Sequence, residues 1–408
     1  MKSALPISKI SWSLLLLLSL FTALDALAID IYLPAFPLLA DSFTTSPGHI
    51  QLTLSVFLIG LAIGQGLYGP LLDRFGRRQP LLIGIAIFIL GSFLAAIAPS
   101  IEWLLAARFM QAIGASAGLV VPRAIISDVC DAKTSAKNFS ILMQVMMIVP
   151  IIAPLFGSLI LRIGSWPLIF YTLAALGAIL WLWGNHAIPE TLKPQYRQPL
   201  QFAAIRTSYQ TLALNKRFMA YTLAGGFILG GFFVYLSQSP FIFIQHYHIH
   251  NESFSSLFAA NAVGLIILGQ VSILLLKRWT AHQLLLLGLC IFSGASFILM
   301  LSVSFYHLSL WQYIVFLGLS IWSTGFIFGN LTALTMQQSP QHLTGAASSL
   351  MGLLQYAFAS LIGFIVSLFE INISLLPASL FLCGMIALGL CVYAALKPRD
   401  AFSTMETE

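Results

Sequence analysis

Twelve long apolar stretches, joined by short polar connections, constrain this 408-residue chain more than any other feature. A helix needs about 20 mainly apolar residues to cross the ~30 Å hydrocarbon core of a bilayer. Only 8% of the residues are charged, against about 25% in soluble domains, so the chain cannot cover a water-facing surface. We therefore predict an all-α membrane protein with twelve transmembrane helices, which are Trp12–Leu39, Ile50–Leu72, Pro80–Ala98, Trp103–Ile126, Phe139–Ile163, Trp166–Asn185, Phe218–Ile244, Phe254–Leu276, Leu284–Val303, Leu308–Thr335, Thr344–Phe369 and Leu375–Leu396.

The longest polar gap, residues 186–217, divides these spans into six and six. We predict an N-terminal six-helix half over 1–185, a central cytoplasmic loop over 186–217, a C-terminal six-helix half over 218–396 and a cytoplasmic tail over 397–408. Equal halves are typical of transporters built from two parallel six-span repeats. Between Leu200 and Lys216 the gap is basic and partly amphipathic, which predicts a segment lying along the inner membrane face.

The basic residues are distributed unequally between the two ends of the predicted spans. Sixteen of the nineteen lysines and arginines fall on one side, and positive charge is retained on the cytoplasmic side of membranes. These sixteen are Lys2, Lys9, Arg74, Arg77, Arg78, Lys133, Lys137, Lys193, Arg197, Arg206, Lys216, Arg217, Lys277, Arg278, Lys397 and Arg399. We expect a multi-pass protein of the bacterial inner membrane with both termini in the cytoplasm, and no nucleic-acid partner.

The N-terminal stretch has two interpretations. Lys2, Lys9 and the apolar run Leu14–Leu20 imitate a secretory signal peptide. Asp25 interrupts that pattern, and the apolar character continues through Leu39. We therefore predict an uncleaved first span.

A compact charged turn joins the second and third spans, and it reads Gly69-Pro70-Leu71-Leu72-Asp73-Arg74-Phe75-Gly76-Arg77-Arg78. Glycine permits close approach of the backbone, and the arginines remain in water on the cytoplasmic side. The pattern Gly-x-x-x-Asp-Arg-x-Gly-Arg-Arg resembles the signature loop between helices two and three of the major facilitator superfamily. The resemblance implies a conformational latch formed by Gly69, Asp73, Arg74, Gly76, Arg77 and Arg78, with Asp128 just past the fourth span. A turn that serves membrane topology alone is the alternative.

Asp25, Asp30 and Arg108 are the clear cases of charges inside predicted spans. Each costs roughly 2.5 kcal/mol or more at the bilayer centre, so each requires a partner or a water-filled cavity. The first span runs outward and the fourth inward, which brings Asp30 and Arg108 to a similar depth, ~8 to 14 Å below the outer surface. A pair between them, direct or through water or Gln111, is geometrically possible. It would serve proton exchange or, alternatively, only satisfy two buried charges.

Three further motifs narrow the resemblance. The run Arg108-Phe109-Met110-Gln111-Ala112-Ile113-Gly114 resembles the fourth-helix motif Arg-x-x-Gln-Gly-x-Gly of major facilitator antiporters, with Ala112 at the usual glycine. The run Pro150-Ile151-Ile152-Ala153-Pro154-Leu155-Phe156-Gly157 resembles the fifth-helix motif of drug exporters. Ile29-Asp30-Ile31-Tyr32-Leu33-Pro34-Ala35 and Gly345-Ala346-Ala347-Ser348-Ser349-Leu350 are similar to the Bcr/CflA group of drug-resistance transporters. That likeness implies that Asp30 is the protonatable carboxylate and that Arg108 competes with the proton, whereas a role for Asp25 rests on its depth alone.

The second half has no deeply placed charge but offers neutral polar side chains among many phenylalanines. Such groups with aromatic walls suit poorly defined, amphipathic ligands. The residues that we assign to a substrate cavity are Tyr32, Gln111, Gln238, Asn261, Asn330, Gln355 and Tyr356. Interhelical hydrogen bonding is the more ordinary role for each of them.

His246, His248 and His250 alternate and would share one face of an extended chain. No fourth ligand is evident, so we predict a solvated outer loop rather than a metal site. The sequence contains no nucleophile elbow, glycine-rich nucleotide loop or zinc-helix motif. We expect no enzyme activity, no metal and no cofactor.

The residues and the resemblance together predict a twelve-helix major facilitator fold that exports amphipathic drugs in exchange for protons, by rocking of two six-helix halves about a central cavity. A proton-coupled importer and a dedicated exporter of one metabolite share every topological argument and remain alternatives. A membrane-embedded enzyme or receptor is the alternative from a different class. The expected partners are a small-molecule substrate, protons and the lipid bilayer, and the expected state is a monomer.

Overall fold

The structure is a computed structural model that describes residues 10–130, 132–192, 197, 202–305, 308–339 and 343–396. All regular elements in these ranges are helices, and the α-helices are α1 (Trp12–Asp30), α2 (Phe36–Ser42), α3 (Pro47–Phe75), α4 (Arg78–Ala96), α5 (Ile101–Val129), α6 (Ala132–Ile163), α7 (Pro167–Ala187), α8 (Phe202–Leu214), α9 (Lys216–Pro240), α10 (Asn251–Leu275), α11 (Ala281–Phe305), α12 (Leu310–Met336), α13 (Thr344–Ser367) and α14 (Leu375–Leu396). Twelve helical segments of the described residues are long and apolar enough to cross a membrane, with α1 and α2 together forming the first. The predicted all-α membrane fold with twelve spans is confirmed.

The helices group into two compact units. The first unit comprises Met1–Phe43 and Val56–Gln201, and the second comprises Thr44–Ser55 and Phe202–Glu408. Within the first unit, α1 packs against α5, α6 and α7, and α4 packs against α5 and α7. Within the second unit, α9 packs against α12, α13 and α14, and α11 packs against α12 and α14.

The first span is not one continuous helix. α1 ends at Asp30, a short 3₁₀ turn follows at Leu33–Ala35, and α2 then completes the span. Proline has no N–H to donate, and its ring clashes with the preceding turn of an α-helix. Pro34 therefore prevents the α-helix from continuing, and the interruption leaves Asp30 as the last residue of α1.

Two glycines of the first unit permit close contact with α1. A side chain at Gly118 of α5 would overlap the backbone carbonyl oxygen of Phe21, and one at Gly157 of α6 would overlap that of Ile31. Only glycine allows a backbone to approach another backbone so closely. These contacts fix α1 against α5 and α6 on either side of its two acidic residues.

The charged turn between α3 and α4 depends on a third glycine. α3 ends at Phe75, α4 begins at Arg78, and Gly76 between them has a φ of +90°. Residues with a side chain rarely adopt this left-handed backbone conformation. Gly76 thus reverses the chain within two residues. Arg77 and Arg78 lie at the start of α4, whereas Arg74 lies in the last turn of α3.

The predicted amphipathic segment before α9 is helical and forms α8. Leu212 of α8 is buried in a cluster with Phe218, Ala347 and Leu350 of the second unit. The position of α8 along a membrane face stays a prediction.

α9 continues beyond Pro240 as a π-helix, Phe241–His246. π-Helical turns are rare and often lie at functional sites.

Candidate functional site

Arg108 of α5 is fully buried and surrounded by aromatic rings. Its guanidinium carbon lies 4.3 Å from the ring centre of Tyr32, 4.2 Å from that of Phe57 and 5.8 Å from that of Phe170. The faces of aromatic rings attract cations, by about 2 kcal/mol or more when water is excluded. The three rings therefore offset part of the cost of holding this charge away from water.

A short polar chain continues from Arg108 into α4. Arg108 Nη1 donates a hydrogen bond to Gln111 Oε1, and Gln111 Nε2 donates to Ser92 Oγ over 2.7 Å. Ser92 Oγ in turn donates to the backbone oxygen of Phe88 over 2.7 Å. Arg108 Nε and Nη2 are buried and have no hydrogen-bond partner among the described residues. The guanidinium thus retains two N–H groups that could receive an acceptor.

Asp25 and Asp30 are the buried acidic residues of α1, with exposed fractions of 2% and 4%. Within the described ranges the structure contains two ion pairs, and both belong to Arg77. The direct Asp30–Arg108 pair that the sequence allows is therefore not formed, and the Arg108 guanidinium contacts the ring of Tyr32. Asp25 Oδ1 is also buried, and it has no hydrogen-bond partner among the residues that the structure describes.

The two acids interact electrostatically with one another, and Asp25 also interacts with a second arginine. Asp25 is close enough to Asp30 for mutual repulsion and close enough to Arg123 of α5 for attraction. The sequence alone suggests no role for Arg123.

The charged turn forms the second polar site of the first unit. Arg77 Nη1 donates to Asp73 Oδ1 over 3.1 Å, and Arg77 Nε donates to Asp128 Oδ2 over 2.9 Å. Arg77 Nη1 also donates to the backbone oxygen of Leu72 over 2.8 Å. Burial alone would lower the pKa of Arg77, but the hydrogen bonds and charges of Asp128 and Asp73 outweigh it and raise the pKa. The structure therefore brings together three of the residues that we assigned to a latch.

The other residues of the predicted latch do not join this triad. Arg78 Nη2 donates to the backbone and side-chain oxygens of Asn185, over 2.6 and 3.1 Å. The guanidinium of Arg74 lies over the ring of Phe75, 5.5 Å from its centre. Gly69 has open space where a side chain would begin.

Glu190 is a member of this site that the sequence analysis missed. Its Oε1 accepts hydrogen bonds from the backbone N–H groups of Arg77 (2.9 Å) and Leu192 (3.0 Å), and its Oε2 accepts one from Arg78 N (3.4 Å). The next residue, Thr191, donates to Asp128 Oδ2 over 2.8 Å. The first N–H groups of a helix have no partner within the helix, so an acidic side chain there satisfies them. Glu190 thus caps α4 and ties the segment after α7 to the charged turn.

In the second unit, two of the five polar residues assigned to a substrate cavity form hydrogen bonds between helices. Asn261 Nδ2 donates to Tyr235 Oη over 3.1 Å, while Asn261 Oδ1 accepts from Trp322 Nε1 over 3.2 Å. Asn330 Nδ2 donates to Ser272 Oγ over 2.9 Å. The interhelical role that we weighed as the more ordinary one therefore describes Asn261 and Asn330.

Gln238 differs from these residues because it is fully buried and its Nε2 and Oε1 both lack a hydrogen-bond partner among the described residues. It lies one turn before the π-helix. Gln355 is partly buried beside Gly225, and the ring of Tyr356 lies 6.4 Å from that of Phe233. Among the described residues of the predicted cavity set, Gln238 is the one with a buried amide whose donor and acceptor atoms both lack a partner.

His246 ends the π-helix, and its ring centre lies 5.0 Å from that of Tyr247. His248 has a φ of 54°, and His250 precedes the first residue of α10. Among the described residues, no group of three or more His, Cys, Asp or Glu side chains is arranged to hold a metal ion.

The described part of the chain contains twelve helices able to cross a membrane, with buried charges in the first unit and a charged turn between α3 and α4. These features define a multi-pass α-helical membrane protein. The chain belongs to the Major Facilitator Superfamily, whose sequence profile matches residues 18–364. It is therefore a membrane transporter and not an enzyme.

The relatives agree with the Bcr/CflA resemblance. The chain is 33% identical to an uncharacterized MFS-type transporter, YdgK, of Bacillus subtilis over 97% of this chain and 98% of that protein. It is 26% identical to a bicyclomycin resistance protein homolog of Haemophilus influenzae, over 96% and 98% of the two chains. It is 29% identical to the multidrug resistance protein MdtL of Vibrio parahaemolyticus, over 80% and 82%. The resemblance drawn from the motifs is confirmed.

A solved structure shares the fold. The crystal structure of a D-xylose-proton symporter superposes on this chain with a TM-score of 0.77, over 95% of this chain and 98% of that chain. The two sequences are 14% identical, so the comparison concerns the fold alone.

Proposed function

We propose that this transporter exports amphipathic drugs or related small molecules in exchange for protons, by alternating access. Two relatives that cover most of the chain are named for resistance to bicyclomycin or to multiple drugs. Resistance by a membrane transporter requires movement of the compound out of the cytoplasm, which supports export over import. We further propose that the protein works as a monomer in the bacterial inner membrane, with both termini in the cytoplasm.

The observation that carries the coupling proposal is the pair of buried carboxylates in α1 beside a buried arginine with unused donors. Neither Asp25 nor Asp30 belongs to an ion pair of the described residues. A bound proton neutralises a buried carboxylate, and an arginine that approaches it can replace the proton. Arg108 Nε and Nη2 are available for that exchange.

The break after Asp30 supports Asp30 as the group that moves. A carboxylate at the end of a helix can change position with a few backbone angles, whereas one within a helix moves only with the whole helix. Tyr32, two residues beyond Asp30, already contacts the Arg108 guanidinium. A small movement of the segment after α1 would therefore exchange the Tyr32 ring for the Asp30 carboxylate at the arginine.

The substrate is proposed to contact the second unit near Gln238. An amide with a free donor and a free acceptor binds either kind of polar group, so it selects weakly among ligands. Nearby rings on α9 and its π-helix, including Phe233, Tyr235 and Phe241, are buried in the same unit. Aromatic surface with few polar groups suits amphipathic compounds.

Proton entry supplies enough energy for useful export. One proton moving down 100 mV releases about 2.3 kcal/mol, which supports a roughly fifty-fold gradient of a neutral substrate.

The Asp73–Arg77–Asp128 triad is proposed to act as the latch that closes one state of the cycle.

The test is transport of ethidium into inverted membrane vesicles that contain the full chain, with and without an imposed pH gradient. Export from the cell corresponds to uptake by these vesicles. Uptake that depends on an acidic vesicle interior and stops with an uncoupler is expected. Ethidium loss from preloaded vesicles under the same gradient would instead favour the importer, and transport of one metabolite without any drug would favour the dedicated exporter.

A further inference from the structure

A surface cavity of about 430 Å³ lies beside the first turn of α4 in the first unit. Residues from the end of α3, the start of α4 and the segment after α7 line it. α4 is a membrane-crossing helix that begins at Arg78, so the cavity lies at the depth where lipid headgroups meet water. Neither the proton-coupling residues nor the predicted substrate residues line this cavity.

The polar wall of the cavity is positively charged. Arg78 and Arg197 line it, and neither forms an ion pair within the part of the chain that the structure describes. The two hydrogen bonds from Arg78 to Asn185 go to neutral oxygens. They hold the guanidinium in position and leave its charge uncompensated.

Glu190 is the acidic residue in the lining, and its carboxylate is already occupied. Both of its oxygens accept backbone N–H groups, from Arg77 and Leu192 at Oε1 and from Arg78 at Oε2. The amides of Arg77 and Arg78 lie at the positive end of α4, which offsets the negative charge of Glu190. An anion in the cavity would therefore interact mainly with the two arginines.

The remaining wall is apolar and open to the surroundings. Phe75, Leu82 and Ile83 line it, and Phe75 and Ile83 are 40% and 52% exposed. Leu82 and Ile83 lie one turn further along α4 than Arg78. The order from charge to apolar surface along the helix matches the order from phosphate to acyl chain in a phospholipid.

We propose that this cavity binds a phosphate-bearing anion, and specifically the headgroup of an anionic phospholipid, with Arg78 and Arg197 on the phosphate and Phe75, Leu82 and Ile83 against the upper acyl chain. Arginine binds phosphate through paired N–H groups. Basic pockets at the membrane surface bind the headgroups of anionic lipids by the same chemistry. The bound lipid would lie next to the Asp73–Arg77–Asp128 triad, since Arg77 and Arg78 share the cap formed by Glu190.

The test is native mass spectrometry of the delipidated full chain in detergent, titrated with phosphatidylglycerol or with phosphatidylethanolamine of the same acyl chains. Phosphatidylglycerol should bind more tightly. Arg197→Gln should weaken phosphatidylglycerol binding about fivefold, the contribution of one arginine near an anionic surface. Arg206→Gln, which removes one exposed charge from α8, is the matched control and should leave the affinity unchanged.

Two further measurements decide the source of the anion. Ile83→Gln should weaken phosphatidylglycerol binding and leave competition by inorganic phosphate unchanged, because only the lipid uses the apolar wall. If inorganic phosphate occupies the site as tightly as the lipid, the lipid assignment is overturned. Equal losses from Arg197→Gln and Arg206→Gln would show general surface attraction and would overturn the site itself. Because these measurements use no transport, they are independent of the proposed direction and coupling.

Discussion

The guanidinium of Arg108 faces the ring of Tyr32 at 4.3 Å, and Tyr32 follows the buried Asp30 by two residues. The arginine therefore contacts the segment that carries the acid without pairing with the acid itself. This arrangement separates two explanations of the buried charges. A static ion pair would place the carboxylate on the guanidinium, whereas an exchange site needs an arginine that is held by weaker contacts and can change partner.

Replacing Arg108 should remove coupling without a large loss of stability. Breaking a buried ion pair costs about 3 to 5 kcal/mol, because one charge remains unpaired. Arg108 has no such pair among the described residues. Arg108→Met loses the contacts with three rings and the hydrogen bond to Gln111, but it also removes a buried charge that lacks a counter-ion, so the free energy of unfolding should fall by less than about 3 kcal/mol. Thermal unfolding in detergent and uphill ethidium transport are the two measurements. A large drop in melting temperature with transport retained would support the static role.

The charged turn should control the rate of switching and leave substrate affinity unchanged. Arg77 is joined to Asp73 and to Asp128 by charge-assisted hydrogen bonds. Asp73→Asn or Arg77→Ala should slow flux while the equilibrium dissociation constant of ethidium stays within about threefold, or ~0.65 kcal/mol. Binding measured by fluorescence and flux in vesicles separate the two effects. A tenfold loss of affinity in a correctly folded variant would contradict the latch.

Gly76 should be much less tolerant of substitution than Gly69 in the same turn. Gly76 has a φ of +90°, and a side chain there would overlap the carboxylate of Glu190. The left-handed conformation alone costs a residue with a side chain about 1 to 2 kcal/mol. Gly76→Ala should therefore lower the melting temperature and slow flux. Gly69→Ala is the matched control because Gly69 has open space within α3. An equal effect of Gly69→Ala and Gly76→Ala would contradict a special requirement for glycine beside the Glu190 carboxylate.

The number and type of spans could be predicted because membrane-crossing helices are specified locally, by length and apolarity. The triad of Asp73, Arg77 and Asp128 could be predicted because its pattern is specific. The break after Asp30 had a visible signal in Pro34 and Pro37, which we did not use.

Glu190 and the aromatic cage of Arg108 could not be predicted in the same way. Glu190 lies 113 residues from Arg77, and its role depends on how α7 ends beside α4. Phe57 and Phe170 are two of 31 phenylalanines in the chain. Their contact with Arg108 arises from tertiary packing, which leaves no periodic or spaced pattern in the sequence.

The orientation in the membrane is testable by reporter fusions. Sixteen basic residues on one side of the spans predict cytoplasmic termini. A fusion after Arg78 should report the cytoplasm, whereas fusions after Pro47 and after Glu252 should report the periplasm. The reverse pattern at all three positions would require the charged turn and the proposed lipid site to lie on the outer face.

Asp30 should carry the coupling proton. Asp30→Asn keeps the size of the side chain and removes its ability to release a proton, so uphill export of ethidium should be lost. Downhill exchange and ligand binding should remain, because neither needs proton release. The matched control is Asp41→Asn on α2, which removes an exposed acid of the same span and should leave uphill export unchanged.

Asp25→Asn decides between the two buried acids. Asp25 lies within α1, so its carboxylate can change position only together with the whole helix. Asp30 lies at the helix break and has Arg108 close to its own segment. We therefore expect Asp25→Asn to reduce the rate of uphill export and to leave its dependence on the pH gradient intact. Uncoupler-sensitive, concentrative export that survives Asp30→Asn and disappears in Asp25→Asn would transfer the proton site to Asp25.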